Sequence, residues 1–183
     1  LKDLLLTSPP AETDYTIALS NFRKFPQMAA TLFPGIAARI KDETMAPVII
    51  ELANLLIDSG SIQYSGIKEY DQAMISAAKR ILSAFSENNN ENFRQPYTAS
   101  VLQMLVRINQ KQSRSVLTGF TELQNYNLSL FLILAYAKNN QQVPASLLDW
   151  FCVSPERRIL LYDELVGAGK ASFFTGQYAS QNS

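Results

Sequence analysis

Histidine is absent from all 183 residues, and cysteine occurs once, at Cys152. Each absence removes a class of chemistry. Histidine is the usual general acid/base at neutral pH and the commonest metal ligand. Without it the chain hosts no Ser-His-Asp triad, no Cys-His pair and no His-containing zinc site of its own. A single cysteine makes no internal disulfide, and Trp150-Phe151-Cys152-Val153 is apolar, so Cys152 is expected to be a small buried hydrophobe. The missing disulfide framework fits a reducing compartment, the cytoplasm.

Charge is also scarce. Asp, Glu, Lys and Arg make up 17% of the chain, below the roughly 25% usual in folded domains. Sixteen cations balance sixteen anions, so no global field attracts nucleic acid or an anionic membrane. The balance is uneven: residues 1–92 carry eight basic and eleven acidic side chains, and residues 93–183 carry eight and five. An anion-binding surface is therefore expected in the second half. Long apolar runs are missing too. Leu4-Leu5-Leu6 is too short for a signal-peptide core, and the run at 128–138 falls short of the about 20 residues that span a bilayer. The first residue is Leu1 rather than Met, so the chain is expected to be a fragment of a larger protein.

What is present is helical periodicity. Apolar residues make up 47% of the chain, enough to fill a core at this length, where roughly 70% of the unfolded surface is buried. Tyr15, Ala18, Leu19, Phe22 and Phe25 recur at helical spacing up to Pro26. Short helices are expected at about 27–33 and 34–42, with Pro34 at the first position of the second. Thr44 is the expected N-cap of a helix at about 45–58. That helix is apolar on all sides except a stripe of Glu51, Asn54 and Asp58, the pattern of a central helix. Gly60 stops it. An amphipathic helix is expected at about 67–86, then a loop at Asn88–Asn92 and a helix at about 98–112. One more follows through Val116, Leu117, Phe120 and Leu123. The second strongly apolar helix is expected at 128–138, a short one after Pro144, and a last one opened by Ser154-Pro155 and stopped by a left-handed Gly167.

No stretch alternates as a strand between hairpin turns. The expected fold is all-α, an irregular bundle of nine or ten helices with two apolar central helices at about 45–58 and 128–138. A short solenoid of helix pairs is the alternative. Residues 1–13 read as a lead-in and 14–169 as one helical domain, with a possible hinge at 88–92. Residues 170–183 read as a frayed tail, with Phe173 and Phe174 expected to dock on the body.

Several motifs resemble functional ones. Gly167-Ala168-Gly169-Lys170-Ala171-Ser172 echoes the end of a phosphate-binding loop. Glu164 stands where the first glycine belongs, however, and Ala171 where Ser or Thr belongs. Ser76-Ala77-Ala78-Lys79 matches the Ser-Lys pair of serine acylases without its companion motifs. Glu51 and Asp58, two turns apart, are the best pair for carboxylate catalysis, and burial would raise the pKa of Glu51. Asn127-Leu128-Ser129 is a glycosylation sequon placed in a helix. Arg157-Arg158 sits in the first turn of the last helix, where cations oppose the helix dipole.

The most suggestive polar group is Arg107, Lys111 and Arg114, with Gln103 and Gln110 alongside. No Asp or Glu lies between Glu91 and Glu122. If one helix runs through Ser113, the three cations share a face suited to an acidic protein surface or a phosphorylated headgroup. The expected function is a non-catalytic adaptor or scaffold domain that binds another protein. An anionic-lipid reader and a carboxylate hydrolase are the alternatives. No cofactor, metal or nucleic acid is expected, and membrane contact would be peripheral.

Overall fold

The computed structural model describes residues 12–88, 95–122, 125–174 and 178. Among them every element is helical, and nine α-helices are present with no strand. The lead-in up to residue 11, most of the expected 88–92 loop and most of the tail lie outside the described residues. The chain divides into two compact units, Leu1–Met104 and Leu105–Ser183.

The first unit is built on the helix that the sequence marks as apolar all round. Helices α1 (Glu12–Lys24), α2 (Pro26–Ala37) and α4 (Asp71–Asn88) all pack on α3 (Ala46–Asp58). Ile49, Ile50, Ala53 and Leu56 are each 0% exposed, the interior expected of a helix with nearly continuous apolar surface. Thr44 is not the N-cap; Met45 occupies that position without a side-chain bond. Thr44 instead donates its amide and hydroxyl to Asp42, at 3.0 and 2.8 Å, closing a turn that Arg39 braces at 2.8 Å. The helix ends as expected: Gly60 takes φ +71°, a left-handed conformation that an L side chain resists.

Pro34 corrects the expected pair of short helices. It lies inside α2, which begins with Pro26 in its first turn. Pro34 falls one turn from the C-terminus, where its missing N–H deletes a single ladder bond and the helix is about to stop. A 3-10 segment, Tyr64–Tyr70, precedes α4. Tyr64 donates its hydroxyl to the carboxylate of Asp71 at the start of α4.

Helix α5 (Gln95–Ile108) carries the boundary between the units. In the second unit α6 (Lys111–Thr121), α8 (Ala145–Phe151) and α9 (Pro155–Gly167) pack on α7 (Tyr126–Lys138). Helix α7 is the second apolar helix, and Leu128, Leu132, Ile133, Ala135 and Ala137 are all buried. The Asn125 side chain caps it by accepting from the Leu128 amide at 3.1 Å. Ser129 is 2% exposed, so the sequon is part of a packed helix. Each unit thus has its own apolar central helix. Among the described residues no helix is long and apolar enough to cross a membrane.

Candidate functional site

The Glu51–Asn54–Asp58 stripe resolves first. Its three members reach different neighbours. Arg23 of α1 donates to Glu51 at 2.9 Å. Asn54 donates to the Ser100 carbonyl of α5 at 2.8 Å. Gln103 of α5 donates to Asp58 at 2.9 Å. A mostly buried helix must place its few polar groups where partners wait, and this stripe ties α3 to α1 and α5. Burial pushes the Glu51 carboxyl above its ordinary value, and the Arg23 charge pulls it back. Because its folded pKa is raised, Glu51 contributes stability that is full below about pH 4.5 and lost as pH rises through the raised value. Glu51→Gln is therefore expected to gain thermal stability relative to the parent between pH 4 and pH 7, measured by circular dichroism melts. A relative loss would mean that the Arg23 ion pair outweighs desolvation.

Gln103 belongs to the same structural set. It is 8% exposed and engaged by Asp58, so it presents no binding surface. The helix carrying Arg107 is shorter than expected: α5 ends at Ile108, not at 112. Asn109 takes φ +49°, the left-handed conformation that asparagine tolerates best after glycine. Gln110 is extended, and its carbonyl accepts from the Ser113 hydroxyl and the Arg114 amide, both at 2.9 Å. A new helix, α6, starts at Lys111. The single-helix face of Arg107, Lys111 and Arg114 is therefore not built.

The structure sorts these cations into two roles. Arg107 is half-buried and donates through Nε to Asn139, which follows α7, at 2.9 Å. Beside it Gln141 donates to the Val106 carbonyl at 2.8 Å, satisfying one of the carbonyls that a helix C-terminus leaves open. Arg107 thus belongs to a clamp between the end of α5 and the end of α7. Lys111 and Arg114 are exposed on the first turns of α6. Among the described residues neither makes an ion pair. Arg114 lies near enough to Tyr136 of α7 for its charge to lower the phenol's pKa, against a larger rise from burial. Helix α6 has no acidic residue in its first turn and no side-chain cap.

No protein-family model, curated protein or solved structure matches the chain. The site therefore rests on its own chemistry.

The remaining motifs take structural positions. Ser76 donates to the Gln72 carbonyl of its own helix at 2.9 Å, and Lys79 is exposed. At the end of α9 the left-handed glycine is Gly169 (φ +67°), not Gly167, which is the last helical residue. Lys170 donates to Asn140 at 2.6 Å. Cys152 is 4% exposed, and burial pushes its thiol up to about 11 despite the nearby Arg158. It is therefore protonated at neutral pH and a poor nucleophile. Among the described residues no group of three or more Cys, Asp or Glu side chains is placed to hold a metal ion. Among the described residues a cavity of about 210 Å³ is lined by Thr121, Glu122, Ser146, Leu147 and Trp150, of which Glu122 supplies a carboxylate.

Arg157 and Arg158 were legible only as a pair that opposes the helix dipole. Their partners come from elsewhere in the chain. The guanidinium of Arg157 lies 5.4 Å from the Tyr126 ring centre and 5.0 Å from that of Trp150. Arg158 is 9% exposed and donates through Nη1 to the Cys152 carbonyl at 3.1 Å. That carbonyl sits at the C-cap of α8, where a cation is favoured. The unfavourable end of one helix dipole is thus offset by the favourable end of another.

Proposed function

We propose that this chain is a non-catalytic helical interaction module, an adaptor or scaffold domain of the cytoplasm, whose Lys111–Arg114 edge docks an acidic protein surface. The observation that carries this reading is the start of α6. Two exposed cations stand at a helix N-terminus that has neither an acidic residue in its first turn nor a side-chain cap. The dipole and both side chains are positive there, and a partner carboxylate relieves all three. Engagement of Glu51 and Asp58 between helices supports a binding role over carboxylate hydrolysis.

The test is comparative capture from native lysate with the parent chain and the double variant Lys111→Glu/Arg114→Glu. Both residues are exposed, so the variant is expected to fold. Proteins retained by the parent are expected to be lost from the variant, and the parent's retention to weaken with added salt. Identical capture by the two contradicts the proposal. Salt-sensitive sedimentation of the parent with phosphoinositide vesicles, lost in the variant, would assign the edge to lipid headgroups instead.

A further inference from the structure

A second surface on the same unit has the opposite character. Helix α9 turns Arg158, Leu161 and Leu165 inward, where all three are buried. Its outward face carries Ile159, Tyr162 and Val166, which are 54, 46 and 48% exposed. Their i, i+3, i+7 spacing sets them in one line along the helix. The ring of Phe174 packs edge-on against Tyr162, 5.6 Å between centres, and broadens the line at its middle. Beside it run Glu156 and Asp163, also i, i+7, both exposed.

Arg157, Arg158 and Lys170 each have a partner away from this line. Arg157 lies over Tyr126 and Trp150, Arg158 is buried against the Cys152 carbonyl, and Lys170 is held by Asn140. An apolar line bordered by carboxylates is left facing outward, with the charge of the buried Arg158 near Glu156.

We infer that this face of α9 is a docking surface for a basic amphipathic helix of another protein. An apolar row at helical spacing accepts the complementary row of a second helix as ridge into groove. The carboxylates along one border select a partner with Lys or Arg flanking its apolar positions, and select against an acidic one. The inference does not depend on the Lys111–Arg114 edge, whose charge is opposite. If both hold, the module carries two surfaces of unlike charge, as bridging two partners requires.

The test uses the full chain and two synthetic helical peptides with the same leucine positions, one flanked by lysines and the other by glutamates. Binding is read by fluorescence anisotropy of the labelled peptide. The lysine peptide is expected to bind and the glutamate peptide not to bind. Ile159→Ser/Val166→Ser and Asp163→Lys are each expected to weaken the lysine peptide by roughly tenfold or more, about 1.4 kcal/mol. Glu122→Lys, an exposed acid beyond α6, is expected to leave it unchanged. The altered positions are exposed, and circular dichroism confirms the fold of each variant. Equal binding of both peptides, or lysine-peptide binding indifferent to the α9 variants, overturns the inference. Self-association of the parent in sedimentation velocity that is abolished by Ile159→Ser/Val166→Ser also overturns it, assigning the face to a second copy. Binding to uncharged vesicles that is abolished by the same variant overturns it in favour of a lipid surface.

Discussion

Leu132→Ala is expected to lower the unfolding free energy by about 2–5 kcal/mol, the range for a leucine deleted from a packed interior. Leu132 is 2% exposed on α7, the helix against which α6, α8 and α9 all pack. Three helices leaning on one surface restrict how far any of them can move into the vacated space. The loss therefore includes the cavity as well as the transfer of the missing methyl groups. The chain's single tryptophan, Trp150, lies on α8 in the same unit. Denaturant unfolding followed by its fluorescence reads the effect. A loss under about 1 kcal/mol would show that the neighbours collapse onto the gap, and that α7 is not the central support described above.

Arg158→Met is expected to cost about 1–3 kcal/mol, the penalty for leaving a buried polar group without its partner. Methionine keeps most of the apolar stem and removes the guanidinium, so the change separates the loss of polar and charge contacts, the bond to the Cys152 carbonyl among them, from the loss of packing. The residue that carries this carbonyl, Cys152, is itself buried, 4% exposed. The positive charge beside the Cys152 thiol also disappears. The thiol's pKa, already raised to about 11, is expected to move higher, because Arg158 is what holds it down. Arg157→Ala forms the contrast. Its contact is a cation over two rings at the surface, worth about 0.5–1 kcal/mol, and its signature is a change in Trp150 emission with little change in stability. Equal stability losses in the two variants would contradict the separate roles given to these adjacent arginines.

The two central helices were legible because their signal is local. A run such as Val48 to Ile57, or Leu128 to Ala137, leaves at most a narrow polar stripe to turn outward, so its place in a core follows from composition alone. The polar stripe on α3 was legible as a stripe, but its partners Arg23, Ser100 and Gln103 are remote in sequence and no spacing rule points to them. The break after Ile108 was hidden for a different reason. It is made by Asn109 in a left-handed conformation rather than by glycine or proline, so the helical pattern of Val101, Met104, Leu105 and Ile108 ran visibly into Lys111 and Arg114. That one residue separates the clamp cation Arg107 from the two exposed ones, Lys111 and Arg114. At the other end, Gly167 and Gly169 are equally good stop signals on paper. The final turn of α9 closes through Ala168, whose amide reaches the Glu164 carbonyl at 3.0 Å, and this places the left-handed residue at Gly169.

The central claim is that Lys111 and Arg114 are the recognition cations, while Arg107 and Gln103 are structural. It is tested most directly by titrating a partner captured by the parent chain against a graded charge series. Lys111→Gln/Arg114→Gln is expected to weaken binding, and Lys111→Glu/Arg114→Glu to weaken it further, each with a smaller salt dependence than the parent. Affinity that stays at the parent value across the whole series would contradict the claim.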